Sequence, residues 1–480
     1  MKNSLDALRS DMAHSLALLG LLVLFAAACG GGQAEPELPG LFSPPYTAPD
    51  GWVRDGLGRA VLLRGPNLAN CQKFPDPDTG RFVASWLSEE DFCALASWGM
   101  NSIRFIMTWE TIEPQPGQID SGYLEELAAA AELAERCGIL VILDMHQDLY
   151  ARRFGGDGAP DWAVISDGLE FTPQPQWYLN YAQPAVQHAL DNFFTNRDGI
   201  LDHFAAAWAA VVERLRDAPN VVGYDLLNEP FPGSLAYELT RADQEYLQPF
   251  YEKLLESIGD IGPGQVFFFE PSAVRTNVYG DAFPSALEPF SRAQGRTALA
   301  PHLYDAVTTV TMIYDDNIER LGRTAAAMNA EAERLGVPLW VGEFSVWDGA
   351  VENGQAFLRD QLKVFDRVLA GWSFWNYDHN PADLNSPLNS PWMLEELVLA
   401  QPTAVSGEPL EIVHEQEGLT LHYLEAEIAA PTDILAPGSA PDVQVFPQRE
   451  VEILPGPAPD TWRVVIWPEQ DGAEVLVTVR

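Results

Sequence analysis

Eight short apolar runs recur between Gly51 and Trp392, each separated from the next by a longer segment, and this alternation limits the fold more than any other feature. The runs are Val61–Arg64, Ser102–Ile106, Leu140–Asp144, Val221–Leu227, Val266–Glu270, Ala298–Leu303, Leu339–Glu343 and Gly371–Trp375. Patterns of helical period lie between them. One opens at Ser88 with capping-box spacing to Asp91 and carries Phe92, Leu95 and Ala96; others cover Tyr123–Cys137 and Ile200–Arg216. Buried strands joined through helices belong to a parallel sheet. Eight such units predict an α/β fold, a closed (β/α)8 TIM barrel. An open doubly wound sheet would want a glycine-rich phosphate turn after its first strand, and that turn reads Gly65-Pro66-Asn67.

From about Pro402 the helical periodicity stops. Short alternating runs appear at Leu419–Leu424, Val443–Phe446, Trp462–Trp467 and Glu474–Val479, with Pro and Gly between them. They predict a small C-terminal β-sandwich. The expected division is an export segment and linker over 1–40, the barrel over 41–400 and the sandwich over 401–480. Within the barrel, the segment Asp148–Asn196 is too long for an ordinary loop and holds Phe154, Trp162, Phe171, Trp177, Tyr178, Phe193 and Phe194. Following the third strand, it should lie over the barrel mouth.

Charge narrows the partners. Against 69 Asp+Glu stand 28 Lys+Arg, a formal net charge of −41. Nucleic acid and anionic membrane surfaces both need clustered cation, so neither is an expected partner. The sequence is 47% hydrophobic with 14 Trp, which excludes wholesale disorder. Only four lysines occur, Lys2, Lys73, Lys253 and Lys363, so a lysine near a pocket carries information.

The N-terminus reads as an export signal. Leu16–Ala28 is an apolar run too short for a spanning helix, and Ala26-Ala27-Ala28-Cys29-Gly30 resembles a bacterial lipobox, in which the Cys is lipidated. Ala26 stands where Leu is usual, the preceding region is weakly basic, and Met12 offers an alternative start. The expectation is an exported protein, anchored to the cell envelope through Cys29 or secreted; an ordinary cleaved signal with an incidental cysteine is the plainer alternative. Gly30–Gly40 fits a flexible tether. The other cysteines, Cys71, Cys93 and Cys137, allow at most one bridge, match no zinc spacing and read as fillers at Cys93 and Cys137.

Strand ends at the C-terminal face of such a barrel converge on one pocket. Here they carry Arg104 and Trp109-Glu110, then Asp144-Met145-His146-Gln147-Asp148, Asn228-Glu229-Pro230, His302-Leu303-Tyr304, Gly342-Glu343-Phe344 and Trp375-Asn376-Tyr377. Burying so many polar groups is costly unless they serve one another or a ligand. One Glu after a strand is ordinarily a solvated helix cap. Two, with Arg, His, Tyr and Trp around them, are what glycosidic bond cleavage needs: one carboxyl protonates the leaving oxygen, the other attacks the anomeric carbon or activates water.

Leu227-Asn228-Glu229-Pro230 with Gly342-Glu343-Phe344 resembles the retaining β-glycosidases of glycoside hydrolase family 5. That resemblance implies Glu229 as acid/base, Glu343 as nucleophile and Asn228 as holder of the sugar 2-hydroxyl. It places Arg104, His146, His302, Tyr304 and Trp375 around the attacked sugar. Gly65-x-Asn67 with Lys73, the Asp144–Asp148 run, Gly156-Asp157-Gly158-Ala159-Pro160-Asp161-Trp162 and Tyr224-Asp225 are more similar still to endoglycoceramidases and related glycolipid hydrolases. This implies Lys73 with Asp144 as sugar ligands and Asp148 as a further one; a solvated loop pair is the bland alternative for Lys73 and Asp148. Neither metal nor cofactor is implied.

The leading reading is therefore an exported retaining β-glycosidase that separates the glycan from the lipid of a glycosphingolipid. A steryl β-glucosidase or an endo-β-1,4-glucanase is the runner-up, and an inactive surface carbohydrate-binding protein is the reading from another class. For a glycolipid, aromatic rings of the Asp148–Asn196 insertion should line an apolar groove leading from the two glutamates, unless they pack inward as a local core.

Overall fold

The computed structural model describes residues 38–69, 73–76, 79–275, 284–346, 351–415 and 418–480. Cys29 with its apolar run, and Cys71, lie outside the described residues. The chain from Gly40 to Arg480 forms one compact unit.

Eight parallel strands close a barrel: β1 (Arg64–Leu68), β2 (Ser102–Thr108), β3 (Leu140–His146), β4 (Val221–Asp225), β5 (Val266–Phe269), β6, β7 (Trp340–Phe344) and β8 (Gly371–Tyr377). The sixth strand is in two pieces, Thr297–Leu299 and His302–Leu303, either side of Pro301, which has no backbone N–H to donate. The first piece pairs with β5 and the second with β7, so the ring closes through this break. Each predicted run falls on one of these strands except the first. Val61 belongs instead to a short strand, Ala60–Val61, that pairs antiparallel with Gln401–Val405, and β1 begins three residues later.

Side-chain alternation along the strands explains where function sits. On β2, Ile103, Phe105 and Met107 face the helices; on β3, Val141, Leu143 and Met145 do the same. The opposite faces point inward. Leu140 and Ile142 join Val222, Val266, Phe268 and Trp340 in an apolar plug at the base of the barrel. One pleat further along β3, the inward positions become Asp144 and His146. Buried side chains as large as Trp109, Trp208 and Trp372 contribute about 2–3 kcal/mol each.

The helix Glu89–Ser97 opens with the predicted capping box, Ser88 and Asp91 bonding reciprocally. Cys93 on that helix and Cys137 at the C-cap of Ser121–Arg136 form a disulfide, with Cα atoms 4.9 Å apart. This corrects their reading as fillers: each sits at an apolar position of its own helix, but the two helices pack together.

Beyond the barrel, nine strands counting Ala60–Val61 form antiparallel sheets of five and four. Val405, Ile434, Val464 and Ile466 from one meet Leu419, Leu421, Tyr423, Val475 and Val477 from the other, the interior of a β-sandwich. His414 ties it to the barrel: Nδ1 lies 2.7 Å from Asp366 Oδ2.

Candidate active site

Arg104 organises the barrel mouth. It points inward from β2 with no solvent exposure, and carboxylates reach it from four directions. Its Nε donates to Asp225 Oδ2 (2.8 Å), Nη1 to Glu343 Oε1 (2.7 Å) and Nη2 to Glu270 Oε1 (3.2 Å), and Nη2 makes an ion pair with Asp144 Oδ1 at 2.9 Å. Asn67 and Asn228 complete its shell, each accepting through Oδ1 at 3.1 and 3.0 Å. One guanidinium cannot neutralise four carboxylates. Burial pushes the pKa of Asp144, Asp225, Glu270 and Glu343 upward, against the pull of the Arg104 charge.

Glu229 and Glu343 face each other across His302. Its Nδ1 is 3.0 Å from Glu229 Oε1 and 3.4 Å from Glu343 Oε2, and a carboxylate oxygen of one Glu lies within 4.8 Å of one on the other. Retaining glycosidases hold their carboxyl groups about 5–5.5 Å apart, inverting ones roughly 6.5–9.5 Å. The pair matches the first class. Gly342 permits this packing: a Cβ there would meet the His302 ring at 3.0 Å. Tyr304 donates its hydroxyl to Glu343 Oε2 at 2.9 Å. Burial raises the pKa of Glu343 and outweighs His302 and Arg104, which favour its charged form.

His146 is neutral, its pKa lowered by burial and by Lys73. Its Nδ1 sits 2.7 Å from Asp144 Oδ2, which leaves Nε2 to accept from Asn228 Nδ2 at 3.3 Å. Trp375 stacks on the same ring, centroids 5.7 Å apart. Lys73 reaches over the Trp375 face at 5.1 Å and bonds Asp148 Oδ2 at 2.5 Å, with Asp157 Oδ2 at 3.4 Å. The donor atoms of His146, Asp148 and Asp157 lie close enough to hold a metal ion, but the Lys73 ammonium occupies the cationic place beside both carboxylates.

Ten expected site residues thus converge at the barrel mouth. Asp144 is fully buried behind Arg104 and His146, which corrects its expected place as a sugar ligand; Asp148, 20% exposed at its side chain, pairs with Lys73 instead. Arg104 likewise stands beneath the glutamates instead of against a sugar.

The family model for cellulase (glycosyl hydrolase family 5) matches residues 70–381. The chain belongs to glycosyl hydrolase family 5. Among family-5 relatives it is similar to endoglycoceramidase I of Rhodococcus hoagii, 29% identical over 400 residues that cover 79% of this chain and 77% of that one. The endoglycoceramidase of Hydra vulgaris is 29% identical over 422 residues, covering 81% and 78%. Endo-glycoceramidase II from Rhodococcus sp., solved as a ganglioside GM3 complex, superposes with a TM-score of 0.77 at 30% identity, covering 89% of this chain and 98% of that one.

Sequence reading of this family-5 site missed Glu270. It ends the apolar run of β5 as Glu343 ends that of β7, and that parallel was the available signal. The rings of the insertion divide. Phe154, Phe193 and Phe194 pack inward, Phe193 against Trp109 and Phe204, Phe194 against Phe250 and Phe154 against Phe171, which corrects their expected place in a groove. A second set leads outward: Phe231, two residues beyond Glu229, stacks on Tyr181 at 4.4 Å, and Tyr181 meets Trp177 at 6.4 Å. Trp177, Tyr178 and Leu179 are 45%, 55% and 44% exposed, and Tyr237, beside Phe231, is 59% exposed.

Proposed function

We propose that this protein is a retaining β-glycosidase that hydrolyses the bond between the glycan and the lipid aglycone of glycosphingolipids. Glu343 attacks the anomeric carbon while Glu229 gives its proton to the departing lipid oxygen. Glu229 then takes a proton from water, which displaces Glu343 and frees the glycan with its configuration retained. Tyr304 and Arg104 hold the two oxygens of Glu343 for in-line attack. Trp375 supplies an apolar floor for a sugar ring, and Lys73 and Asp148 supply charged partners for its hydroxyls.

The observation that carries the lipid part is the exposed set of rings Trp177, Tyr178 and Tyr237, seated on the buried Phe231–Tyr181 stack that begins two residues beyond Glu229. Exposed rings of this kind are costly in water and suit a hydrophobic ligand. The likeness to endoglycoceramidases, one of them solved with a ganglioside, supports the same reading. We further propose export, with Cys29 as the lipidated residue; the Cys93–Cys137 bridge supports an oxidising compartment.

Comparing hydrolysis of lactosylceramide, a steryl glucoside and carboxymethylcellulose tests the assignment. Turnover of lactosylceramide well above the other two is expected. Preference for carboxymethylcellulose would reassign the protein as a glucanase, and preference for the steryl glucoside would change the aglycone.

A further inference from the structure

Glu270 touches the machinery at three points. Its Oε2 accepts the backbone N–H of Glu229 at 3.0 Å, and its Oε1 lies 3.2 Å from both Arg104 Nη2 and His302 Nε2. His302 in turn presents Nδ1 to Glu229 Oε1 and Glu343 Oε2. Glu270 is only 2% exposed, and its own main chain is clamped: its N–H donates to the Tyr251 hydroxyl oxygen at 3.1 Å, and that hydroxyl donates to its carbonyl at 2.8 Å. Glu229, meanwhile, has a φ of +42°, a left-handed backbone that a non-glycine residue holds only when its surroundings impose it. The Glu270 carboxylate is one such constraint.

We propose that Glu270 is a positioning residue that anchors the Glu229 main chain and holds His302 doubly protonated between Glu229 and Glu343. This rests on the retaining-glycosidase reading of the site. Each nitrogen of His302 has a carboxylate oxygen within 3.2 Å, Glu229 at Nδ1 and Glu270 at Nε2, which favours the ring that carries hydrogen on both. The groups facing Glu270 are Arg104 on β2, Asp225 on β4, the Glu229 backbone after β4, Tyr251 on the helix Gln248–Ile258 and His302 on β6; burial and Asp225 raise its pKa, while His302 and Arg104 favour its charged form. For His302 the balance runs upward: burial favours the neutral ring, but Glu270 and Glu343 outweigh it.

The sign of the effect follows. Glu270→Gln keeps the size of the side chain but removes the negative charge beside His302 Nε2, so the ring loses the carboxylate that holds its second proton. Glu343 then loses a cation 3.4 Å from its Oε2, and its pKa rises.

The test uses phenyl β-lactoside, whose poor leaving group requires the acid and whose hydrolysis does not involve the lipid. In Glu270→Gln, the acid limb of the kcat/KM profile should move to higher pH by roughly one unit, kcat should fall, and Glu270→Asp should recover part of the loss. A folded Glu270→Gln with an unmoved profile overturns the proposal, because a merely structural role lowers activity without shifting its limbs. Nitrogen-15 NMR of the histidines in the unaltered protein provides an independent arm that does not need the variant to fold. His302 should remain doubly protonated through pH 7, and a neutral His302 there overturns the proposal. Should the wild type leave aryl lactosides intact, the glycosidase reading fails while the NMR arm still decides the state of His302.

Discussion

Tyr304 places its hydroxyl 2.9 Å from Oε2 of Glu343, on the side opposite the Arg104 contact to Oε1. Burial and then the Glu343 charge push the pKa of this phenol well above its ordinary value, so it stays a donor across the working range. Removing that hydrogen with Tyr304→Phe leaves the carboxylate free to rotate. A charge-assisted hydrogen bond is worth about 1.5–3 kcal/mol, so kcat should fall roughly 10–100-fold, with KM little changed. Steady-state kinetics on an aryl β-lactoside measure this, and a kcat within twofold of wild type would show that Arg104 alone orients the nucleophile.

The pH profile should be bell-shaped with its acid limb displaced. Glu343 must be ionised to attack, and burial holds its pKa above the usual value. Activity is then lost as pH drops through a point higher than about 4.3, the ordinary Glu value. A log plot of kcat/KM against pH reads the limb directly. An acid limb at or below pH 4 contradicts the burial argument.

Lys73 is held charged: burial alone would lower its pKa, but Asp148 and Asp157 together outweigh it. Asp157, buried beside Asp148, is pushed up to about 7. Lys73→Ala therefore removes a cation from above Trp375 and leaves two carboxylates facing one another. If it bonds sugar hydroxyls, KM for lactosides should rise about 10–100-fold, the worth of one charged hydrogen bond. An unchanged KM would return Lys73 to the status of a loop cation.

The disulfide joins positions 44 residues apart. Closing a loop of that size restricts the unfolded chain by about 4 kcal/mol. Cys93→Ser with Cys137→Ser should lower the melting temperature measurably while leaving the pH profile in place, since neither residue touches the mouth. Calorimetry with and without reductant checks this, and identical melting under both conditions would refute a stabilising role.

Much of the barrel was legible because strands buried on both faces must be apolar runs, and seven of the eight lie where they were read. The first was misplaced because Val61, Leu62 and Leu63 are as apolar as the strand that follows. Their partner in the sandwich lies more than 300 residues away, beyond any local pattern. Glu229 and Glu343 were readable as polar ends of apolar strands. Glu270 meets the same description but lacks a neighbouring motif, so its contact with the Glu229 backbone emerges only when β4, β5 and β6 are side by side. Composition could not sort the insertion's rings, since an inward Phe193 and an outward Trp177 are equally apolar. The bridge between Cys93 and Cys137 depends on two helices packing, a relation that spacing along the chain does not encode.

The most direct measurement is proton NMR of freshly cleaved lactosylceramide, with the lipid product identified by mass spectrometry. Glu229 and Glu343 at retaining separation, with exposed aromatic rings for the lipid, predict that intact lactose appears first as the β-anomer and that ceramide is released with it. First appearance of the α-anomer, or stepwise release of galactose from an intact glucosylceramide, would contradict the account.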